Sequence, residues 1–287
     1  MRFSVVFRVL SLSLLLSSVA VGSHSSLQAQ SSPVVSNGWL QVQRLRGNVT
    51  YQGQRSRSAR IGDRLSAVGT GIRTAQRSVA ALGLDNNIGT VNVAENTNLV
   101  VRQLSTSSDG ARVTVLDVTQ GQARLRVRPF NNPNSRLELH TPSGIAAVRG
   151  TEFGVSVSAD GQTAVATLEG AVEAIAQDAA VRVEANLVAV IHPGEAPSPP
   201  QPLDRELRFQ MTEGYRQGNL IYIAGYIDPA NTALIEGQEI KVNRQGYLRT
   251  SVSRSRQQTD VQIVIRNPLG EERTQTIRFR PLSGDRS

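Results

Sequence analysis

The 287-residue sequence contains no cysteine, which excludes disulfides, thiolate metal sites and a lipid-modified N-terminal cysteine. Lysine is nearly missing too: Lys241 is the only one, so the positive charge is carried by arginine. Aromatic residues make up only 4%. That scarcity, and the carboxylates scattered between the arginines, argue against a nucleic-acid surface despite a formal charge of +8. An anionic envelope polymer, an acidic protein face or simple solubility are the uses left for this charge. Beyond residue 30 no apolar run is long enough to span a bilayer, so no stable membrane insertion is expected of the mature chain.

Reactive constellations are missing as well. His140 and His192 are the only histidines after residue 30, and they stand in unrelated contexts. There is no His-x-x-x-His pair and no Gly-x-Ser-x-Gly elbow, so zinc hydrolysis and triad chemistry lack their parts. Carboxylates such as Asp63 and Asp85 would be needed together for glycoside cleavage, but no spacing selects them. The stretches "DNN" (Asp85 to Asn87) and "SSDG" (Ser107 to Gly110) carry oxygen ligands suited to calcium, yet they are also the ordinary residues of turns. The glycines of "GTGIRTAQRSVAALGLDNN" precede strand-like alternation, whereas a phosphate loop leads into a helix. The reading is a protein that is not an enzyme, with no cofactor and no metal.

What is present begins with a leader. Arg2 and Arg8 precede an apolar core from about Val9 to Val21, followed by small and polar residues. That order, over residues 1–30, is a secretory signal peptide, which places the mature protein in the periplasm or outside the cell. From Gly38 to Ile191 short alternating segments such as "TVNV", "ARVTVLDV", "FGVSVS" and "TAVATL" are punctuated by "SSDG", "TQG", "NNPNS" and "LEG". Period-two alternation without helical periodicity predicts an all-β domain over 38–191, as a sandwich or a coiled, solenoid-like sheet. Val113 to Val127 and Ala164 to Ala176 echo each other as strand, turn ending at a glycine (Gly121, Gly170), strand.

Residues 192–204, "HPGEAPSPPQPLD", hold five prolines that disfavour helix and ladder alike, and read as a semi-extended linker between independently folding domains. Seven strand candidates follow over 205–281, the number of a small immunoglobulin-like sandwich.

One strand has a fault. In "TPSGIAAVRGTEFGVSV", Thr141 to Val157, strict alternation puts Arg149 on the side of Phe153, Val155 and Val157. A guanidinium facing a core must be paired, and Glu152 and Glu169 are the candidate partners. Gly150 offers a bulge. The candidate structural or binding residues are therefore Arg149, Gly150, Thr151, Glu152, Glu169 and Gly170.

This stretch, with "ATLEGAVEAIA" after it and "IGDRLSAVGTGIRTAQRSVAALGLDNNIGTVNVAENTNL" before it, resembles the FecR domain family over roughly Gln41 to Ile191. The tail resembles bacterial immunoglobulin-like modules. The FecR resemblance implies an exported, non-catalytic β domain of the cell envelope. Its best-known members relay a signal from an outer-membrane transporter to a sigma factor through a short cytoplasmic segment. Only about seven residues precede the apolar core here, so that segment is not expected. The function expected is binding or scaffolding at the envelope, with a glycan polymer or an envelope protein as partner. The alternative is a periplasmic accessory that docks a transporter or sensor domain.

Overall fold

The computed structural model describes residues 38–255 and 257–280. The signal-peptide reading lies outside these residues. The architecture is all-β. In chain order the first strands are β1 (Leu40–Arg46), β2 (Val49–Gln52), β3 (Arg57–Ser58), β4 (Arg64–Leu65), β5 (Gly71–Thr74), β6 (Val79–Leu84), β7 (Gly89–Val93), β8 (Asn98–Thr106) and β9 (Arg112–Val127). They continue as β10 (Arg136–His140), β11 (Ile145–Val148), β12 (Glu152–Val157), β13 (Thr163–Glu169), β14 (Ala171–Ala176), β15 (Ala179–Glu184), β16 (Leu187–Ile191) and β17 (Gln201–Pro202).

These strands form two layers. One runs β3-β2-β5-β8-β9-β10-β11-β14-β15, and the other runs β4-β1-β6-β7-β9-β12-β13-β16-β17. Both face a single core in which Leu99, Leu116 and Leu139 of the first layer meet Leu82, Leu125 and Phe153 of the second. Of the two arrangements left open by the sequence, this is the layered one.

The sixteen-residue β9 belongs to both layers, pairing with β8 and β10 through its first half and with β7 and β12 through its second. A strand that passes from one layer to the opposite one must reverse the face it buries. Accordingly the buried positions switch from Leu116 and Val118 to Ala123, Leu125 and Val127. Gly121 stands at the switch with φ +87°, where a Cβ would lie 2.5 Å from Thr97 Cα. The "TQG" expected as a hairpin turn is thus a bend inside one continuous strand, because the chain changes layer without changing direction.

The same rule resolves Arg149. β11 buries Ala146 and Val148, whereas β12 buries Phe153, Val155 and Val157. Between them the chain turns a corner from one layer to the other. Gly150 makes the corner at φ +145°, with its α-carbon so close to Pro129 that a Cβ would sit 2.4 Å from Pro129 Cα. Only glycine fits there.

The tail contains β18 (Gln210–Gln217), β19 (Leu220–Tyr226), β20 (Thr232–Ile235), β21 (Gln238–Ile240), β22 (Tyr247–Ser253), β23 (Asp260–Arg266) and β24 (Glu272–Arg278). A three-stranded sheet, β18-β19-β22, faces a four-stranded one, β21-β20-β23-β24. Ile221, Ile223 and Leu248 pack against Ile235, Ile263 and Ile265 to make a second core.

A third apolar cluster joins the two sandwiches: Ala164, Ala166 and Val188 from the first, Leu203 from the connector, and Ala230 and Leu269 from the tail. The connector is not free either. Gln201 and Pro202 pair with Val188 and Leu187 of β16, and the Ser198 N–H donates to the Val190 carbonyl at 2.8 Å. The prolines restrict its hydrogen bonding without abolishing it, since proline is tolerated at a sheet edge where no ladder donor is required.

Candidate functional site

The outer face of the second layer is where sequence and structure converge on unusual chemistry. On β12 and β13 the inward residues are Phe153, Val155, Val157 and Val165, and the outward ones are Gly154, Ser156, Ala164 and Ala166. All eight are buried. A sheet face open to water carries large polar side chains; this one carries almost none, and the tail lies against it. A Cβ on Gly154 would come within 2.0 Å of the Pro268 carbonyl oxygen.

Polar side chains fasten the edges of this contact. Gln122 Nε2 donates to the Asn267 carbonyl at 2.7 Å, Gln162 Nε2 to the Pro229 carbonyl at 2.8 Å, and Arg266 Nη2 to Glu95 Oε1 at 2.8 Å. Asn267 itself shapes the turn that docks, its Oδ1 accepting the N–H groups of Leu269 and Glu271 at 3.1 Å each. Burial pushes the Glu95 carboxyl up, but Arg266 and the Arg77 N–H pull it further down, leaving it below the usual glutamate range.

Five of the six sequence candidates meet at the nearby corner. Glu152 lies opposite Glu169 in the ladder, and a Cβ on Gly170 would touch Thr151 Cγ2 at 2.9 Å. The expected clamp between Arg149 and these carboxylates does not form. Arg149 is exposed and makes no side-chain hydrogen bond or ion pair among the described residues. The layer crossing at Gly150 breaks the alternation that would have buried it.

The clamp belongs to Arg124. Its Nε and Nη2 donate to Glu152 Oε1 at 3.0 and 2.6 Å, and its Nη1 donates to the Leu269 carbonyl at 3.3 Å. Arg126 stands 3.6 Å from the other Glu152 oxygen. One guanidinium thus ties the corner to the docked tail. Its signal in the sequence was the "RLR" of β9, whose arginines alternate out of the core once Gly121 has switched the register.

Several clefts open along the seam, and two of the wider ones gather acidic side chains. One of about 310 Å³ is lined by Ser158, Asp160, Gln162, Asn231, Glu239 and Lys241. Here the Ser158 hydroxyl holds Asp160 below the usual aspartate range. Glu239 is accessible as a residue, but its carboxyl faces protein, and burial pushes it up against the pull of the Ala159 N–H. Asp160 accepts from the Ser158 hydroxyl at 2.6 Å, inside its own turn. The other cleft, about 720 Å³, is walled by ion pairs, Arg254 with Glu236 at 2.6 Å and Arg266 with Glu95 at 2.8 Å.

The other sequence candidates serve locally. Asp63 is bound by Arg57 at 2.7 and 2.8 Å, which holds its carboxyl low. Asp109 of the "SSDG" turn accepts from the Ser107 hydroxyl, the Ala111 N–H and Asn134, all of which lower it. Among the described residues no cluster of three or more histidine or acidic groups could hold a metal ion. No helix among them is long and apolar enough to cross a membrane.

Residues 70–173, from the turn before β5 to β14, match the family model described as FecR protein, so the first sandwich carries a FecR domain there. The match covers a little over a third of the chain. Among solved structures, two crystal structures from Parabacteroides distasonis, each provisionally described as an anti-sigma factor, are similar at 16% and 17% identity with TM-scores of 0.41 and 0.39. Each comparison covers 48% of this chain, which spans 61% of the length of those chains. Likeness at that level carries no conclusion about fold or function. No curated protein matches the chain.

Proposed function

We propose that this chain is an exported, non-enzymatic binding and scaffolding protein of the bacterial cell envelope, in which a FecR domain and an immunoglobulin-like module act as one piece. The observation that supports the reading is the seam. Its arginines and carboxylates are spent on each other and on backbone carbonyls, in the manner of a joint, and Arg149 stays exposed at the FecR corner with no side-chain partner among the described residues. The partners proposed are an envelope glycan or an envelope protein.

Affinity capture from envelope fractions with the whole chain tests this. Retention of a glycan or a defined protein is expected, and retention of neither overturns the reading. Recovery of a transporter or sensor domain as the main species would instead favour the signalling accessory, which the FecR match also supports.

A second reading draws on Asp160 and Glu239 sharing one cleft with their proton affinities pushed apart, as paired acid and base groups require. Release of reducing ends from envelope polysaccharide by the chain, abolished in Glu239→Gln, would establish cleavage and displace the binding reading. No release is expected, because the Asp160 carboxylate is already held by the Ser158 hydroxyl of its own turn.

A further inference from the structure

Four of the chain's five tyrosines lie on one surface. Tyr215 of β18 faces Tyr222 of β19, and Tyr226 of β19 faces Tyr247 of β22, each pair directly in register. The first pair stacks with ring centroids 4.9 Å apart and planes 15° from parallel; the second is tilted at 58° with centroids 5.2 Å apart. On β19 the alternation sends Ile221 and Ile223 into the tail's core and Tyr222 and Tyr226 to the other side, where Tyr226 stays 43% and Tyr215 44% exposed. In a protein this poor in aromatics the concentration is not a by-product of composition.

Between the two ring pairs lies a polar bridge. Ala224 is flanked in register by Glu213 and Arg249, whose side chains approach to 4.0 Å. The face therefore carries one charge of each sign in a chain of net charge +8. Tyr222 and Tyr226 are four residues apart, which along a strand is about 13 Å. The order across the face is ring pair, donor and acceptor pair, ring pair.

We propose that this face is a binding platform for an uncharged polysaccharide. A pyranose ring presents C–H groups of partial positive charge on its flat side, and these match the negative face of a tyrosine ring. Vicinal hydroxyls lie at the ring edge, where Arg249 offers a planar set of donors and Glu213 two acceptors. Charge balance selects a neutral polymer over an acidic one. It also disfavours an apolar protein partner, which would have to desolvate the Arg249 and Glu213 pair. The proposal rests on the envelope-binding reading above and names the ligand class for its glycan arm.

The test is affinity electrophoresis of the purified whole chain in gels containing hydroxyethylcellulose, galactomannan or dextran, with alginate as the acidic comparator. Retardation by at least one neutral polymer, and not by alginate alone, is expected. Tyr226→Ala and Tyr222→Ala should each weaken it about tenfold, as for loss of an aromatic contact, while Tyr226→Phe retains most of it and Tyr51→Ala changes nothing. Thermal melts establish that each variant is folded; should Tyr222→Ala fail, Tyr226→Ala and Tyr226→Leu carry the test alone. No retardation by any neutral polymer overturns the proposal, as does retardation indifferent to these tyrosines. A dimer in sedimentation velocity that Tyr226→Ala disperses also overturns it, in favour of a second copy on this face. If envelope material is captured but ignores the tyrosine variants, only the platform fails; if nothing is captured, the broader reading fails.

Discussion

Two sheet faces of this molecule point away from a core and have opposite fates. On β12 and β13 the outward side chains are Gly154, Ser156, Ala164 and Ala166, and the tail covers them. On β18, β19 and β22 they include Tyr215, Tyr222, Tyr226 and Tyr247, and among the described residues Tyr215 and Tyr226 stay exposed. The lesson concerns side-chain size. Small residues let another backbone approach within contact distance and become a joint within the molecule, whereas large flat ones hold a neighbour off and leave a surface for something else.

The sharpest way to break this comparison is to give the covered face a side chain. Gly154→Val would drive atoms into Pro268 and Leu269, and overpacking of this kind destabilises by about 3 kcal/mol or more. Urea denaturation should show the lowered midpoint, and limited proteolysis should open the connector near residues 192–204. A variant as stable and as resistant as the parent would mean that the tail does not seat on this face.

A smaller effect is expected at the edge of the joint. Arg124→Ala leaves Glu152 with only the more distant Arg126 and removes the donor to the Leu269 carbonyl; a loss of about 2 kcal/mol is expected. Glu95→Gln sharpens the comparison through pH. The native Glu95 carboxyl lies below its ordinary value of 4.5, so its contribution is present above that pH and is lost as pH falls through the depressed native value. The stability gap between parent and Glu95→Gln, about 1 kcal/mol at pH 7, should therefore close below about pH 4.5. Asp228 and Glu239 are raised by burial and titrate with the opposite sign, which is why the gap between the two proteins is the quantity to follow. A gap constant from pH 7 to pH 3 would remove Glu95 from the joint.

The smallest effects belong to open positions. Tyr226→Ala should cost no more than about 1 kcal/mol, the worth of its cross-strand contact with Tyr247, and Arg149→Ala less than about 0.5 kcal/mol. A larger loss at Arg149 would show that its side chain is held by something more than solvent.

Much of the fold was legible because burial imposes period two on β-strands. "TVNV", "FGVSVS" and "TAVATL" appear as β7, β12 and β13 almost residue for residue. The edge strand β18, Gln210–Gln217, carries no such pattern. Leu207 and Phe209 are buried ahead of the ladder, and the strand itself is exposed on nearly every residue, so it lacks the alternation that announces a strand. The corner at Gly150 was legible as an interruption, but its meaning was not. A local pattern cannot tell a bulge within one sheet from a crossing between two, and that distinction decided whether Arg149 or Arg124 held Glu152. The mark of the joint in the sequence is the run of small residues at every second position of β12 and β13.

The solitary lysine has a practical consequence. Lys241 is exposed at the cleft of about 310 Å³ where the tail meets the 158–162 turn, and it provides the one side-chain amine in the chain. An amine-reactive fluorophore will therefore report from that spot and from the N-terminus alone. The protein comes with its own gauge of whether the two sandwiches part when a ligand binds.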